Sequence, residues 1–267
     1  MKSVEIDIAF ELIVLGSGAG ASYLYDHLPS SSFMLLADQQ PFCLVDLGFG
    51  VTHQVLQRFK SFPEQCIITH NHSDHAGELP VVARVELALG HKLQVFAEQE
   101  ISERLKRHRL AEHADQLTPE EIIDWVNPPI ATRTPLAYGL EISFYPGKHS
   151  EKSCGFILYK DDKPIFSYSA DSQLEEAFYT ILNQADTFII DARPMPNAWH
   201  ANFDQIRPWL KNNRYILGHG IDPKNRNATE HTGLPLLFSG DRLSLNPPSF
   251  HPNNPSFSNH SLQPETY

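Results

Sequence analysis

The sequence predicts an α/β protein made of a strand-rich front half and a strand-rich back half, on three observations. Apolar runs of strand length recur along the chain. Segments of helical spacing separate them in both halves. Polar residues of metal-ligating type stand just after several strands, where a rigid sheet can aim them into one cleft.

Apolar residues alternate over residues 4–14 (Val4, Ile6, Ile8, Phe10, Leu12, Val14), the period of a half-buried strand. Gly16-Ser17-Gly18-Ala19-Gly20-Ala21 follows and fits a dinucleotide-binding glycine pattern, with Asp38 about twenty residues on. The context does not fit: residues 22–32 are short of helical signal and carry Pro29 and a serine run. A glycine-rich turn beside an active site is the preferred reading, with no dinucleotide cofactor. Residues 33–37 and 42–47 read as strands joined across Asp38-Gln39-Gln40-Pro41. Residues 51–59 have helical spacing, 66–69 a strand, 78–89 a helix and 93–97 a strand.

Residues 98–128 have a different character and are expected to form a helical insertion or lid. Residues 98–113 are charged and helical, and Thr118-Pro119-Glu120-Glu121 starts a short helix ending near Trp125. Arg104, Lys106, Arg107, His108 and Arg109 form the one basic cluster. Such a run is ordinarily a solvated helix face; the sharper reading is a lid that touches substrate phosphate. Strand signals resume at 140–145, then at 155–159 and 164–169 as a hairpin across Lys160-Asp161-Asp162-Lys163. A helix near 174–182, a strand at 187–191, a Pro208-interrupted helix over 202–211, a strand at 215–217 and an edge strand at 242–245 complete a domain of residues 1–245. Residues 246–267 are rich in Pro, Asn and Ser and read as a loosely packed tail.

With 41% hydrophobic and 20% charged residues, the composition is that of an ordinary globular protein. No apolar run approaches membrane-spanning length, and acidic residues occupy the N-terminal stretch where a signal peptide needs its apolar core, so a cytoplasmic protein is expected. Cys43, Cys66 and Cys154 have no C-x-x-C spacing and fit a reducing compartment. Cys43 and Cys66 read as core, while Cys154 is kept open because it lies near a candidate ligand. The net charge of -11 argues against a large nucleic-acid footprint. It leaves room for a small anionic substrate, because bound divalent metals reverse the local field.

The densest chemistry is His70-Asn71-His72-Ser73-Asp74-His75, directly after Cys66-Ile67-Ile68-Thr69. Alternate side chains at a strand end converge, so His70 and His72 can share one metal while Asp74 and His75 point to a neighbouring site. Nitrogen and oxygen ligands of this kind suit zinc, and also iron or manganese. His149, Asp171 and His219 each follow a further strand. Singly, either histidine would be an ordinary loop residue. Together they complete a dinuclear inventory: three nitrogens for one metal, mixed ligands for the other, and a carboxylate to bridge.

With these residues in view, the chain resembles the metallo-β-lactamase fold hydrolases, whose hallmark T-H-x-H-x-D-H stands here from Thr69 to His75. The resemblance spans residues 12–220. It implies a four-layer αβ/βα sandwich with the site along one edge of two sheets. It further implies that His70, His72 and His149 hold the first divalent metal and Asp74, His75 and His219 the second, with Asp171 bridging. The ribonuclease Z and phosphodiesterase branch looks most similar, through Leu15-Gly16-Ser17-Gly18, Ser30-Ser31-Ser32 and Asp74-His75-Ala76-Gly77-Glu78-Leu79-Pro80. His200 sits where that branch carries a histidine assisting the leaving group. The branch's tRNA-gripping arm would fall between His149 and Asp171, where this chain has only a short hairpin, which argues against tRNA processing.

The mechanism implied is metal-assisted hydrolysis, in which a water shared by two metals has its pKa lowered from 15.7 to about 7. Asp74 would bind metal and orient the resulting hydroxide, and His200 would protonate the departing oxygen. Lys224 and Arg226, beyond His219, are candidates for meeting phosphate but read first as solvated side chains, and Trp199, beside His200, reads equally as a wall of the pocket or as a packed aromatic. The preferred reading is a phosphodiesterase acting on a small anionic diester such as a cyclic nucleotide. The alternatives are a hydrolase of a carboxylic ester, thioester or lactone, or a metal-containing binding or regulatory protein of low turnover. Positive side chains at the pocket mouth would separate phosphate from ester substrates. A homodimer through an exposed edge strand is compatible with the sequence.

Overall fold

The computed structural model describes residues 8–225 and 233–245. In the first sheet β1 (Phe10–Gly16), β2 (Ser32–Ala37) and β3 (Gln40–Val45) run antiparallel, and β4 (Gln65–Ile67), β5 (Gln94–Phe96) and β6 (Asp124–Val126) join them in parallel. The second sheet repeats that pattern. β7 (Thr134–Pro135) edges an antiparallel set of β8 (Leu140–Pro146), β9 (Cys154–Lys160) and β10 (Lys163–Tyr168). Parallel β11 (Thr187–Asp191), β12 (Arg214–Leu217) and β13 (Leu236–Leu237) follow. Finally β14 (Arg242–Ser244) returns to the first sheet beside β1, as the edge strand the sequence predicts.

Parallel neighbours need crossovers, and these supply the outer layers. The first half contributes α2 (Val51–Phe59), α3 (Ser73–Ala76), α4 (Leu79–Ala88), α5 (Gln99–Arg109) and α6 (Pro119–Ile122), after a short α1 (Ser22–Asp26). The second contributes α7 (Glu176–Leu182) and α8 (Phe203–Ile206). Val51 and Val55 on α2, and Ile101 and Leu105 on α5, are buried pairs four residues apart, the apolar stripe that seats a helix on a sheet. The two sheets meet through aromatics: Phe33 of β2 packs edge-on against Phe166 and Tyr168 of β10, with ring centroids 5.7 and 5.1 Å apart. The result is the four-layer sandwich expected.

Several elements differ from expectation. β1 begins at Phe10 and is buried on both faces, because the second sheet covers one side and α2 packs on the other; the part of that segment before residue 8 lies outside the described residues. Only the one-turn α1 follows Gly20, and β2 returns antiparallel to β1, so the parallel βαβ unit of a dinucleotide fold is absent. Both hairpins close on two-residue turns, Asp38-Gln39 and Asp161-Asp162, all four residues having positive φ, tighter than the four-residue connections expected. The helix starting at Thr118 has its capping box but stops at Ile122, and Trp125 belongs to β6, where pairing opposite Val95 draws the chain into the sheet. Residues 98–128 therefore carry α5 and α6 across to an edge strand. The Asn202 capping box starts α8, and Pro208 turns the chain into a 3-10 turn after one helical turn. Arg226 and the tail from residue 246 lie outside the described residues. Among the described residues no helix is long and apolar enough to cross a membrane.

Candidate metal centre

The strand ends deliver their polar residues to one edge of the sandwich. β4 runs into Thr69 and the His70–His75 loop, β8 into His149, β10 into Asp171, β11 into Asp191 and β12 into His219. All seven sequence-predicted ligand residues converge there, and His200 joins them.

The first cluster is His70, His72 and His149. His72 Nδ1 lies 3.2 Å from His70 Nε2 and 3.1 Å from His149 Nε2. The opposite nitrogens are already committed. His149 Nδ1 donates to the Trp199 carbonyl at 2.9 Å, and His70 Nδ1 donates to Thr69 Oγ1 at 3.0 Å, which in turn donates to Asp46. Both Nε2 atoms therefore aim lone pairs at His72 Nδ1, which can satisfy them only by carrying a proton. Burial keeps His70 well below the ordinary imidazole range, with the neighbouring His75 adding to it, and burial also lowers His72 and His149. Converging neutral imidazoles suit a divalent cation.

The second cluster is Asp74, His75, Asp171 and His219, all buried. His75 Nδ1 donates to Asp46 Oδ2 at 2.7 Å and His219 Nδ1 to Asp191 Oδ1 at 2.8 Å, so each ring turns Nε2 toward the carboxylates. His75 Nε2 and Asp171 Oδ1 are buried without a hydrogen bond and lie 3.5 Å apart, a costly arrangement that a cation between them would relieve. Asp171 faces both clusters: Oδ2 is 4.0 Å from His70 Nε2 and 3.8 Å from His149 Nε2. Burial would lower His75, yet the carboxylates of Asp171, Asp46 and Asp74 raise it well above its usual value. Burial and Arg193 likewise oppose charging His219, but Asp171 and Asp191 push it up to about 10. Burial would raise Asp74 and Asp171, yet the adjacent His75 and His219 hold both carboxyls far below the usual range. The donor sets fit divalent metals.

Asp171, Asp191, His200 and His219 form a third close group. There Asp191 already accepts from His219 Nδ1 and, at 2.7 Å, from His200 Nδ1. It orients two imidazoles and is better described as their shared acceptor. Backbone crowding fixes the rest: Gly20 N donates to Asp74 Oδ2 at 2.5 Å, which places the glycine-rich turn beside the site as expected. A Cβ on Gly48 would stand 2.0 Å from the Asp74 carbonyl oxygen.

The basic helix is committed largely to the protein itself. Arg104 pairs with Glu100 and Glu151, and Lys106 with Glu103 and Glu120. Arg109 grips the ligand loop, Nε on Asn71 Oδ1 at 2.8 Å, NH2 on the Asn71 carbonyl and NH1 on Ser73 Oγ at 3.2 Å. His108 also meets the Asn71 side chain. Cys154 is buried, its thiol pushed up to about 12 by burial, and it joins neither cluster. Trp199 does line the cleft, half exposed. Asp46, Asp191 and Arg193 were not singled out as site residues from sequence. The first two close the apolar runs Leu44-Val45 and Ile189-Ile190, the same signal that marks Asp171.

Two seven-stranded mixed sheets with outer helices and donor clusters at one edge define the metallo-β-lactamase fold, and the solved structures of that fold superpose well. YhfI from Bacillus subtilis, a metallo-β-lactamase fold protein, aligns with TM-score 0.70 at 15% identity, over 89% of this chain and 100% of its own. A diphosphatase from the PhnP family gives 0.63 at 18% identity over 88% and 97%. Human tRNase Z, short form, gives 0.63 at 16% over 88% and 99%. No curated protein matches the chain by sequence. The family model for the anti-Pycsar protein Apyc1 matches residues 10–233, and the chain belongs to that family.

Proposed function

We propose that the protein is a metal-dependent phosphodiesterase that hydrolyses a small anionic diester such as a cyclic nucleotide. The observation that carries this reading is Asp171, which faces both donor clusters in the wall of a cleft that His200 also lines. In this reading His70, His72 and His149 hold one divalent cation and Asp74, His75 and His219 a second, with Asp171 between them. Zinc suits the three-nitrogen set.

When bound, such ions supply Lewis acidity and make water acidic enough to be a nucleophile near neutral pH. The chain's own residues do the rest. Asp74, kept ionised by its histidine neighbours, accepts a hydrogen bond from the attacking water and orients it. His200 is steered by its Nδ1 bond to Asp191, which leaves Nε2 to give a proton to the departing oxygen.

Size and charge support a small substrate. The cleft holds about 490 Å³, within the range of roughly 300–1,000 Å³ that takes a single small molecule. Between His149 and Asp171 the chain forms only the β9–β10 hairpin, whose strands are both internal to the second sheet. Membership of the anti-Pycsar family agrees with degradation of a cyclic nucleotide. Two of the structural relatives are, by name, a diphosphatase and a tRNase.

The test pairs metal content with turnover of a panel of cyclic nucleotides, bis(p-nitrophenyl) phosphate and a p-nitrophenyl carboxylic ester. Near two metals per chain are expected, with diester turnover abolished in His72→Ala and lowered about 10²- to 10⁴-fold in His200→Ala. Turnover of the carboxylic ester alone would replace phosphate by acyl chemistry. Failure to retain any metal after reconstitution would end the metal-dependent reading.

A further inference from the structure

Arg193 lies two residues beyond Asp191, and it is the one Arg or Lys among the described residues lining the cleft. Its backbone is pinned on both sides: N donates to the Ala201 carbonyl at 2.9 Å, and its own carbonyl accepts from Phe203 N at 3.0 Å. The side chain is held from behind, with NH1 donating to the His219 carbonyl at 3.1 Å. Gly220 leaves the space for it, since a Cβ there would stand 3.0 Å from NH1. This backbone frame fixes the guanidinium against the floor of the cleft.

The remaining donors are poorly used by the protein. Nε is buried without a hydrogen bond, and the nearest carboxylate oxygen, on Asp191, is 3.8 Å away. NH2 has only imidazole nitrogens in reach, His200 Nε2 at 3.2 Å and His219 Nε2 at 3.3 Å, with Asp171 Oδ2 at 3.9 Å. The Nε2 of His219 faces the second donor cluster and would be committed to a cation held there. NH2 is then left with the His200 ring alone within hydrogen-bond reach, at the wall of the cleft.

The geometry points to Arg193 as the residue that recognises the phosphate, with NH2 donating to a non-bridging oxygen of a phosphodiester while His200 serves the departing one. This assignment rests on the phosphodiesterase reading and deepens it. A neutral carboxylic ester offers no such full negative charge in its ground state, so Arg193 is also the feature that favours phosphate over acyl substrates. A guanidinium suits this place better than an ammonium because one nitrogen can be tied to the His219 carbonyl while another faces substrate.

The experiment uses the full chain carrying its metals, with Arg193→Met and Arg193→Lys beside wild type. Inorganic phosphate is the probe, its dissociation constant measured by calorimetry together with metal content and steady-state kinetics on bis(p-nitrophenyl) phosphate. Arg193→Met should weaken phosphate binding about 10- to 100-fold, the loss of a charged hydrogen bond, with wild-type metal content. It should raise KM for the diester more than it lowers kcat, and Arg193→Lys should recover part of the loss. Unchanged phosphate affinity in Arg193→Met would overturn the assignment. Loss of metal from both variants would also overturn it, making the guanidinium a brace for the His219 loop. The two readings fail separately. Phosphate binding that depends on Arg193 without any diester turnover would remove the phosphodiesterase and keep Arg193 only as a phosphate-binding residue. Full turnover with no dependence on Arg193 would do the opposite.

Discussion

Asp46 and His75 meet through a buried 2.7 Å hydrogen bond, and the same carboxylate accepts from Thr69 N at 2.8 Å and from Thr69 Oγ1. One acid thus orients His75 directly and His70 through the Thr69 hydroxyl. It does so from a left-handed backbone, φ +61°, a conformation that a non-glycine residue adopts at a cost and that recurs at sites where function requires it. Ala170, next to Asp171, has φ +50° at the matching strand end of the second sheet.

Asp46→Ala should therefore weaken metal retention about 10- to 100-fold, the usual effect of removing a residue that orients a ligand. Chelator competition on the loaded protein reads this. Wild-type retention in a variant that melts normally would remove Asp46 from the account.

Gly48→Ala forces a Cβ into the Asp74 carbonyl, where backbone rather than a pliable side chain must move. A loss of at least about 2–3 kcal/mol is expected, in the range of strained overpacking. Denaturant melts would show it, and a melt matching wild type would contradict the close approach.

Phe33→Ala should cost about 3–5 kcal/mol, because its fully buried ring joins the two sheets through Phe166 and Tyr168. The urea midpoint of the metal-loaded protein measures it. A drop below about 1 kcal/mol would mean that the sheets are held together elsewhere.

The three thiols give a pH prediction. Burial pushes Cys154 up to about 12, and it raises Cys43 and Cys66 as well. An unfolded thiol ionises near ~8.5, so above that pH the unfolded state binds fewer protons than the folded one and stability falls as pH rises toward 12. At pH 8 a disulfide reagent should label no thiol until denaturant is added. Cys154→Ala should flatten the alkaline loss of stability, and an unchanged slope would assign that loss to other groups.

Much of the fold was legible because its strands are uninterrupted apolar runs and its helices carry clean four-residue spacing, as over Val51–Phe59, whose bounds matched. The convergence of His70, His72, Asp74, His75, His149, Asp171 and His219 was legible because the His70–His75 loop directly follows one apolar run and His149, Asp171 and His219 each come shortly after a further strand. β6 was not, since Ile122-Ile123-Asp124-Trp125-Val126 follows a capping box and reads as the continuation of its helix, and the extended form is imposed by pairing with β5. Asp46 and Asp191 carried the right local signal, but their partners are 29 and 28 residues away, and only the folded sheets show that His75 and His219 lean on them. The two-residue turns were read too long because flanking polar residues look alike whether they pair or not.

The donor clusters draw on both repeats of the topology: His70, His72, Asp74 and His75 come from the first, and His149, Asp171 and His219 from the second. A cation seated between them would act as a clasp, tying two structurally parallel halves far apart along the chain much as a covalent cross-link would. Any such ion binds only the docked arrangement and so favours it by mass action. Stripping it should loosen the seam between the halves before either sheet melts, and proteolysis of chelated protein would begin where the chain crosses from one half to the other.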